Sequence, residues 1–182
     1  MKKVLITGGT GFIGSQVVAE LLRKGCEVHS LVYPPFAPEQ PNLVQHEMNL
    51  MDDKAVDAFL AENSFDTLIH LAWYVGPKCQ TSALNIDWLE ASLHLIKSFH
   101  HFGGTTALVA GSMSEYDFSY GWCREDKTPL NPLSLYGQAK AALYETLKKF
   151  CAFTDLKLKW ARLFNLYGPN EKPARLMPSV ER

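Results

Sequence analysis

An α/β fold with a doubly wound parallel sheet is predicted by three features of this 182-residue sequence. Short apolar runs suited to buried strands alternate with segments whose apolar residues recur at helical spacing. A glycine-rich turn joins the first strand to the first helix. The hydrophobic share of 47% is enough for one sizeable core rather than two. We therefore expect one domain over residues 1–170.

Six strands are expected, and helices connect most of them. The strands are predicted at 2–6, 27–32, 43–46, 67–72, 105–110 and 157–163. The helices are predicted at 12–24, from Asp52 or Asp53 to about residue 62, at 85–102, and from the segment 132–140 to about Cys151. Four prolines between Pro34 and Pro41 exclude a regular helix there, so the second crossover is expected to be short or to lack a helix.

The composition argues against several classes of partner and location. The net charge is −1 and no basic block occurs, which disfavours nucleic acid. The four cysteines form no C-x-x-C pair, which suits a reducing cytoplasm better than a disulfide framework. The six histidines show no metal-site spacing, and we expect no metal. No stretch resembles a signal peptide or a membrane span, so a cytoplasmic protein is expected.

The glycine turn at residues 7–14, TGGTGFIG, predicts a dinucleotide site. Gly8 permits a tight turn, Gly11 lets the backbone approach a pyrophosphate, and Gly14 lets the helix lie close to the strand. The free N–H groups and the dipole at the helix start favour an anion. The contacts to NAD or NADP are expected at Gly8, Thr10, Gly11, Phe12 and Ile13.

The end of the second strand bears on the choice between the two cofactors. An acidic residue there binds the ribose 2′-OH of NAD, whereas an arginine accommodates the 2′-phosphate of NADP. The sequence has Val32 and Tyr33, followed by two prolines. We expect Tyr33 to contact the cofactor, and the choice between NAD and NADP stays open.

A tyrosine and a lysine four residues apart predict the chemistry. Tyr136 and Lys140 share one face of the last predicted helix. Hydride transfer to a carbonyl requires a proton donor, and a nearby ammonium lowers the pKa of a tyrosine. Tyr144 and Lys148 repeat the spacing, but they lie about 12 Å along the helix and roughly 80° around it. The first pair is expected to be catalytic because it lies nearer the carboxyl ends of the strands.

These motifs resemble the extended short-chain dehydrogenase/reductases, in particular the NAD-dependent epimerases, dehydratases and ketoreductases of nucleotide-sugars. The resemblance includes the glycine turn, the triad Ser112, Tyr136 and Lys140, and the segments 125–137 (EDKTPLNPLSLYG) and 161–169 (ARLFNLYGP). It implies a Rossmann fold and a nucleotide-sugar substrate. It also implies that Ser112 holds the reacting carbonyl oxygen and that Asn165 faces the substrate. The alternative for Asn165 is the cap of a turn.

The resemblance extends to four more cofactor contacts. Asn49 and Leu50 match the segment that touches the adenine, and Leu71 and Ala72 match the segment beside the nicotinamide half. Trp73 follows on a loop and is a candidate substrate contact. His70 precedes this segment, and we expect it to be a buried histidine rather than a catalytic one.

Departures from the family pattern narrow the expected reaction. Met113 and Ser114 stand where the 4,6-dehydratases carry an Asp-Glu pair, which disfavours dehydration. Many 4-epimerases keep the ribose-binding acid that is absent here. Reduction of a 4-keto sugar is therefore favoured over 4-epimerisation. Glu115 replaces the common valine of the motif, so the local loop geometry is expected to differ.

Two further functions compete with this interpretation. A steroid- or flavonoid-type reductase shares the Tyr-x-x-x-Lys motif, but Asn165 and the Gly168-Pro169 pair favour a nucleotide-sugar. A non-catalytic dinucleotide sensor is disfavoured because both Tyr136 and Lys140 are present.

The chain is expected to be a fragment or a cofactor-binding half. Family members that act on nucleotide-sugars continue with a long further segment after the position of Asn165, and it builds most of the sugar-nucleotide pocket. Residues 171–182 resemble the approach to that segment. Turnover is therefore expected to be very poor, and an uncovered apolar face would favour self-association, as in a homodimer.

Overall fold

Six parallel strands form a single sheet in the order β3-β2-β1-β4-β5-β6. The computed structural model describes residues 2–169 and 171. The strands are β1 (Lys3–Thr7), β2 (Glu27–Val32), β3 (Leu43–Glu47), β4 (Thr67–His70), β5 (Thr106–Ser112) and β6 (Lys157–Leu163). The order reverses between β1 and β4, and in such sheets ligands bind at the carboxyl ends of the strands beside this point. The predicted doubly wound fold is confirmed.

Four α-helices and two short 3₁₀ segments connect the strands. The helices are α1 (Phe12–Arg23), α2 (Asp53–Glu62), α3 (Leu84–His101) and α4 (Leu135–Ala152). The 3₁₀ segments are Met113–Glu115 and Phe118–Tyr120. As the prolines predict, no helix lies between β2 and β3, where residues 33–42 are all described.

The two faces of the sheet are covered by different helices because side chains alternate along each strand. Val4 and Ile6 of β1 pack with Val18 of α1 on one face. Leu5 points to the other face and belongs to the larger cluster, which includes residues of α2, α3 and α4 such as Leu60, Leu95, Ile96, Leu143 and Leu147. This packing holds the start of α1 and the start of α4 beside the same edge of the sheet.

Two strands, β4 and β5, end two residues away from their predicted ends, and β1 and β3 end one residue later than predicted. β4 ends at His70, so Leu71 and Ala72 lie in the loop that follows. β5 extends to Ser112 because β6 pairs with it through the register Ser112↔Leu163. The catalytic candidate Ser112 is therefore held by the sheet itself. The predicted boundary at residue 170 stays untested, since residues 172–182 of the expected further segment lie outside the described residues.

No helix in the described part of the chain is long and apolar enough to cross a membrane. Across the same residues, no group of three or more histidine, cysteine, aspartate or glutamate side chains is placed to hold a metal ion. All four cysteines are free and partly buried.

Candidate functional site

A cavity of about 370 Å³ lies at the carboxyl ends of the central strands. It extends from the glycine turn after β1, past the end of β5, to the first turns of α4. The predicted site residues that line it are Gly8, Gly11, Phe12, Ile13, Leu71, Ala72, Trp73, Ser112, Tyr136, Lys140 and Asn165. The fold therefore brings the predicted catalytic triad and the glycine turn together at one cavity.

Four predicted cofactor contacts lie outside this lining. Thr10 is exposed on the glycine turn, and Tyr33 is 74% exposed after β2. Asn49 is exposed, and its side-chain oxygen accepts a hydrogen bond from the backbone N–H of Met51. Leu50 is buried in the larger core cluster. Their contact with a cofactor stays a prediction.

The glycine turn is built by two close approaches that exclude side chains. Gly8 has φ of +71°, and a Cβ there would lie 2.7 Å from the backbone nitrogen of Ala72. A Cβ on Gly14 would lie 2.0 Å from the carbonyl oxygen of Gly8. The turn is therefore pressed against the loop after β4, and α1 begins directly beneath the turn.

The start of α1 fits the pyrophosphate of a dinucleotide. Gly11 occupies the cap position and supplies no side-chain acceptor to the N–H groups of the first turn. Gly11, Phe12, Ile13 and Gly14 all line the cavity. Such N–H groups and the positive end of the helix dipole are suited to an anion. The residues present therefore match the cofactor that the sequence predicts.

The start of α4 is held by the loop that follows β4. Ser134 caps the helix, and its hydroxyl accepts a hydrogen bond from the N–H of Gly137 at 3.0 Å. The same hydroxyl donates to the side-chain oxygen of Gln80 at 2.9 Å. The backbone N–H of Tyr136 donates to the carbonyl oxygen of Gln80 at 3.1 Å. Gln80 thus anchors the turn that carries Tyr136, a role that no local motif indicates.

Lys140 is buried at the inner side of the cavity, with only 2% of its surface exposed. Its Nζ donates a hydrogen bond to the carbonyl oxygen of Ala110 at 2.9 Å. The same atom lies 3.7 Å from the ring centroid of Trp73. Burial lowers the pKa of Lys140 to about 7, and the carboxylate of Glu115 opposes this shift. The ammonium is therefore close to its midpoint near neutral pH.

Trp73 forms a platform beneath both members of the Tyr-x-x-x-Lys pair. Its indole N–H donates to the side-chain oxygen of Asn85 at 2.9 Å, and the amide of Asn85 in turn donates to two backbone carbonyl oxygens. The ring of Tyr136 meets the indole edge to face, with centroids 6.3 Å apart. The indole face thus supports the cation of Lys140, because an aromatic ring attracts a cation placed over it. The predicted contact of Trp73 with the substrate stays untested.

His70 is buried, as expected, and both of its ring nitrogens are bonded. Its Nδ1 lies 2.7 Å from the hydroxyl oxygen of Thr7, and its Nε2 lies 2.9 Å from that of Ser92. Burial lowers the pKa of His70 to about 3, and the positive charge of Lys140 adds to the shift. The imidazole is therefore neutral at physiological pH and joins β1, β4 and α3.

In the second tyrosine–lysine pair, Tyr144 packs between α4 and β6. The ring centroids of Tyr144 and Trp160 lie 5.2 Å apart, and the guanidinium of Arg162 lies 4.4 Å from the ring centroid of Tyr144. Lys148 is exposed. Neither Tyr144 nor Lys148 lines the cavity.

Ser112 and Asn165 complete the predicted site. Ser112 is 8% exposed, and its hydroxyl oxygen accepts a hydrogen bond from the N–H of Ser114 at 3.1 Å. Asn165 is exposed after β6, and within residues 2–169 and 171 its side chain makes no hydrogen bond of the kind a turn cap requires. Met113, Ser114, Leu163, Phe164 and Leu166 also line the cavity, although they were not predicted as contacts.

Comparison with known proteins identifies the family. The model of the "NAD dependent epimerase/dehydratase family" matches residues 4–182. A dTDP-6-deoxy-L-talose 4-dehydrogenase (NAD(+)) of Aggregatibacter actinomycetemcomitans is 30% identical over 91% of this chain and 62% of its own length. A UDP-glucose 4-epimerase of Bacillus subtilis (strain 168) is 28% identical over 97% of this chain and 59% of its own length.

Solved structures resemble the chain over a similar extent. The UDP-glucose 4-epimerase of Thermus thermophilus, solved in complex with NAD, superposes with a TM-score of 0.83 at 27% identity. That match covers 94% of this chain and 58% of the solved one. The chain thus spans about six-tenths of the length of these relatives.

Proposed function

We propose, from the premise that the chain belongs to the NAD-dependent epimerase/dehydratase family, that it takes part in reducing the 4-keto group of a deoxy-sugar nucleotide. The observation that carries the proposal is the meeting of Ser112, Tyr136 and Lys140 with the glycine turn at one cavity. The dehydrogenase relative is named for redox chemistry at carbon 4 of a 6-deoxy sugar, and reduction is the reverse of that reaction.

The dinucleotide, when bound, supplies the hydride. Hydride addition to the 4-keto group leaves a negative charge on its oxygen, and residues of the chain stabilise and protonate that oxygen. Tyr136 donates its phenolic proton to that oxygen, which becomes the hydroxyl of the product, and the resulting phenolate recovers a proton from solvent. Ser112 donates a hydrogen bond to the same oxygen and fixes its orientation.

Lys140 is proposed to favour the phenolate of Tyr136 through its positive charge. This role requires the ammonium form, because an opposite charge lowers the pKa of a nearby acid. Burial lowers the pKa of Lys140 to about 7, so the charged fraction falls as the pH rises through that value. The face of Trp73, 3.7 Å from Nζ, offsets part of the cost of burying the charge.

Dehydration is disfavoured by what surrounds Ser112. Met113 and Ser114 line the cavity directly after it, and neither side chain can act as the acid or base of an elimination near neutral pH. Epimerisation at carbon 4 is the second candidate. It is supported by the relatives named as 4-epimerases, and it would use the same tyrosine.

Oxidation of NADH or NADPH in the presence of a panel of 4-keto-6-deoxy sugar nucleotides tests the proposal. The chain is used at a concentration close to that of the substrate, so that a single turnover can be detected. Tyr136→Phe should lose at least about a hundred-fold of the rate, the contribution expected of a positioned proton donor. Tyr144→Phe is the matched control and should stay within about two-fold, since Tyr144 packs against β6. Equal losses in both variants would contradict the assignment of Tyr136.

A further inference from the structure

The carboxylate of Glu115 is completely buried behind the end of β5. Its Oε1 accepts a hydrogen bond from the backbone N–H of Ser112 at 2.6 Å. Its Oε2 accepts from Nε of Arg162 at 2.6 Å and from the indole N–H of Trp160 at 3.1 Å. Three donors from β5 and β6 thus converge on one carboxylate.

The absence of a side chain at Gly111 leaves space for the carboxylate of Glu115. A Cβ on Gly111 would lie 2.6 Å from Oε1 of Glu115 and 2.2 Å from the indole nitrogen of Trp160. The guanidinium of Arg162 is in turn flanked by the rings of Tyr116 and Tyr144, at 4.9 and 4.4 Å. The ion pair is therefore largely buried, with 9% of the Arg162 side chain and none of the Glu115 side chain exposed.

Part of this arrangement is structural, because Ser112 and Glu115 form a reciprocal capping box at the start of the 3₁₀ segment Met113–Glu115. A buried ion pair is weak evidence for stability, because desolvation offsets the attraction between the charges. Glu115 is also linked to two of the proposed catalytic residues, Ser112 and Lys140. It accepts a hydrogen bond from the backbone N–H of Ser112, and Lys140 donates to the carbonyl oxygen of Ala110, two residues earlier on β5. From this position its negative charge raises the pKa of Lys140 against the effect of burial.

We propose that Glu115 is a positioning residue that fixes the end of β5, and with it Ser112 and the carbonyl group of Ala110 that binds Lys140. The inference rests on the proposed function, in which Ser112 and Lys140 serve the same carbonyl reduction. Glu115 acts on Ser112 through a hydrogen bond to its backbone, and on Lys140 through its negative charge. Arg162 completes the arrangement by balancing the buried carboxylate.

Glu115→Gln is the direct test, because it keeps the shape and removes the charge. Its amide can accept from Ser112 but must turn an NH₂ group toward another donor, and the charge near Lys140 is lost. The pKa of Lys140 should fall by about one pH unit, the low end of the effect of an opposite charge, because Arg162 already balances part of the charge of the carboxylate. The readout is a titration of ¹³C-labelled lysine by NMR, in which Lys140→Met assigns the signal.

The rate of the reductase should change with pH in a way that a structural defect would not produce. A pKa lowered by one unit from about 7 reduces the charged fraction of Lys140 about five-fold at pH 7 and about two-fold at pH 6. Glu115→Gln should therefore recover most of its rate on acidification. Glu125→Gln is the matched control, since it makes the same chemical change at an exposed carboxylate that lies outside the cavity lining.

A second variant keeps the test decisive if Glu115→Gln does not fold. Glu115→Gln combined with Arg162→Met removes both buried charges, and it should lower the pKa of Lys140 in the same direction. An unchanged pKa of Lys140 in a folded variant would overturn the inference, and so would a rate loss that is the same at pH 6 and pH 7. The lysine titration requires no substrate, so it can be measured even if the wild-type chain is inactive. An inactive wild type would count against the proposed function, whereas an unchanged pKa of Lys140 would count against the role of Glu115.

Discussion

Replacement of Lys140 by methionine should make the stability of the fold respond differently to pH. Methionine has a similar length and no charge, so it fills the buried position next to Trp73 without the cost of desolvating an ammonium. The hydrogen bond to the carbonyl oxygen of Ala110 is lost as well. Both protonation states of the lysine can donate this bond, so its loss contributes at every pH, and the pH-dependent part of the difference reports the titration of Lys140.

The expected magnitude follows from the two pKa values of Lys140. Burial lowers the pKa from 10.5 to about 7, so between these values the unfolded chain binds a proton that the folded chain does not. The free energy of unfolding of the wild type should therefore rise with pH across this window, by about 1.4 kcal/mol per pH unit from this group. Below pH 7 the whole penalty of about 4–5 kcal/mol is present, and above 10.5 it is absent.

Urea unfolding followed by circular dichroism at pH 6 to 10 measures the effect. The difference in the free energy of unfolding between Lys140→Met and the wild type should be largest at pH 6 and should shrink steadily above pH 7. Lys148→Met is the matched control, because Lys148 lies exposed on the same helix, and its difference should stay nearly constant. A constant difference for Lys140→Met across this range would refute the burial of a titrating ammonium at this site.

Two further predictions concern the glycine turn and the buried histidine. Gly11→Val should weaken NAD binding by about ten-fold or more, equivalent to about 1.4 kcal/mol, while the fold persists, because Gly11 is exposed at the start of α1. Gly14→Ala should instead destabilise the fold, since its Cβ would lie 2.0 Å from the carbonyl oxygen of Gly8. Calorimetric titration and thermal melting separate these outcomes, and equal NAD affinity in Gly11→Val and the wild type would count against the site. For His70, whose pKa is lowered to about 3, stability should fall as the pH drops below 6.5, by about 1.4 kcal/mol per unit. His70→Gln should show a shallower loss in acid unfolding, and an unchanged slope would argue against the buried imidazole.

The sequence carries enough information to predict the sheet and the assembly of the site. Apolar periodicity indicates all six strands, and the glycine turn places the first βα unit. The spacing of Tyr136 and Lys140 is local, so the helix that carries them can be recognised without a structure. The distinction between this pair and Tyr144 with Lys148 also follows from helix geometry alone.

The rest depends on contacts between distant parts of the chain. The extension of β5 to Ser112 results from pairing with β6, which no local pattern encodes. Glu115 departs from the family motif, and from that departure the sequence predicts only a different loop geometry. The partners of its carboxylate, Trp160 and Arg162, lie 45 and 47 residues further along the chain. Likewise, the support of Lys140 by Trp73 depends on how the loop after β4 folds back over α4.

Transfer of deuterium from labelled NADH tests the central proposal most directly. The chain is mixed in excess with a 4-keto-6-deoxy sugar nucleotide and NADH carrying deuterium at the transferable position, and the product is analysed by NMR. Reduction at the site of Tyr136 predicts deuterium on carbon 4 of the product, with one NADH consumed per sugar reduced and no transfer in Tyr136→Phe. Absence of deuterium from carbon 4 in this mixture, together with inversion of carbon 4 in a 4-hydroxy sugar nucleotide supplied with NAD and no net change in NADH, would contradict the reductase and favour the epimerase.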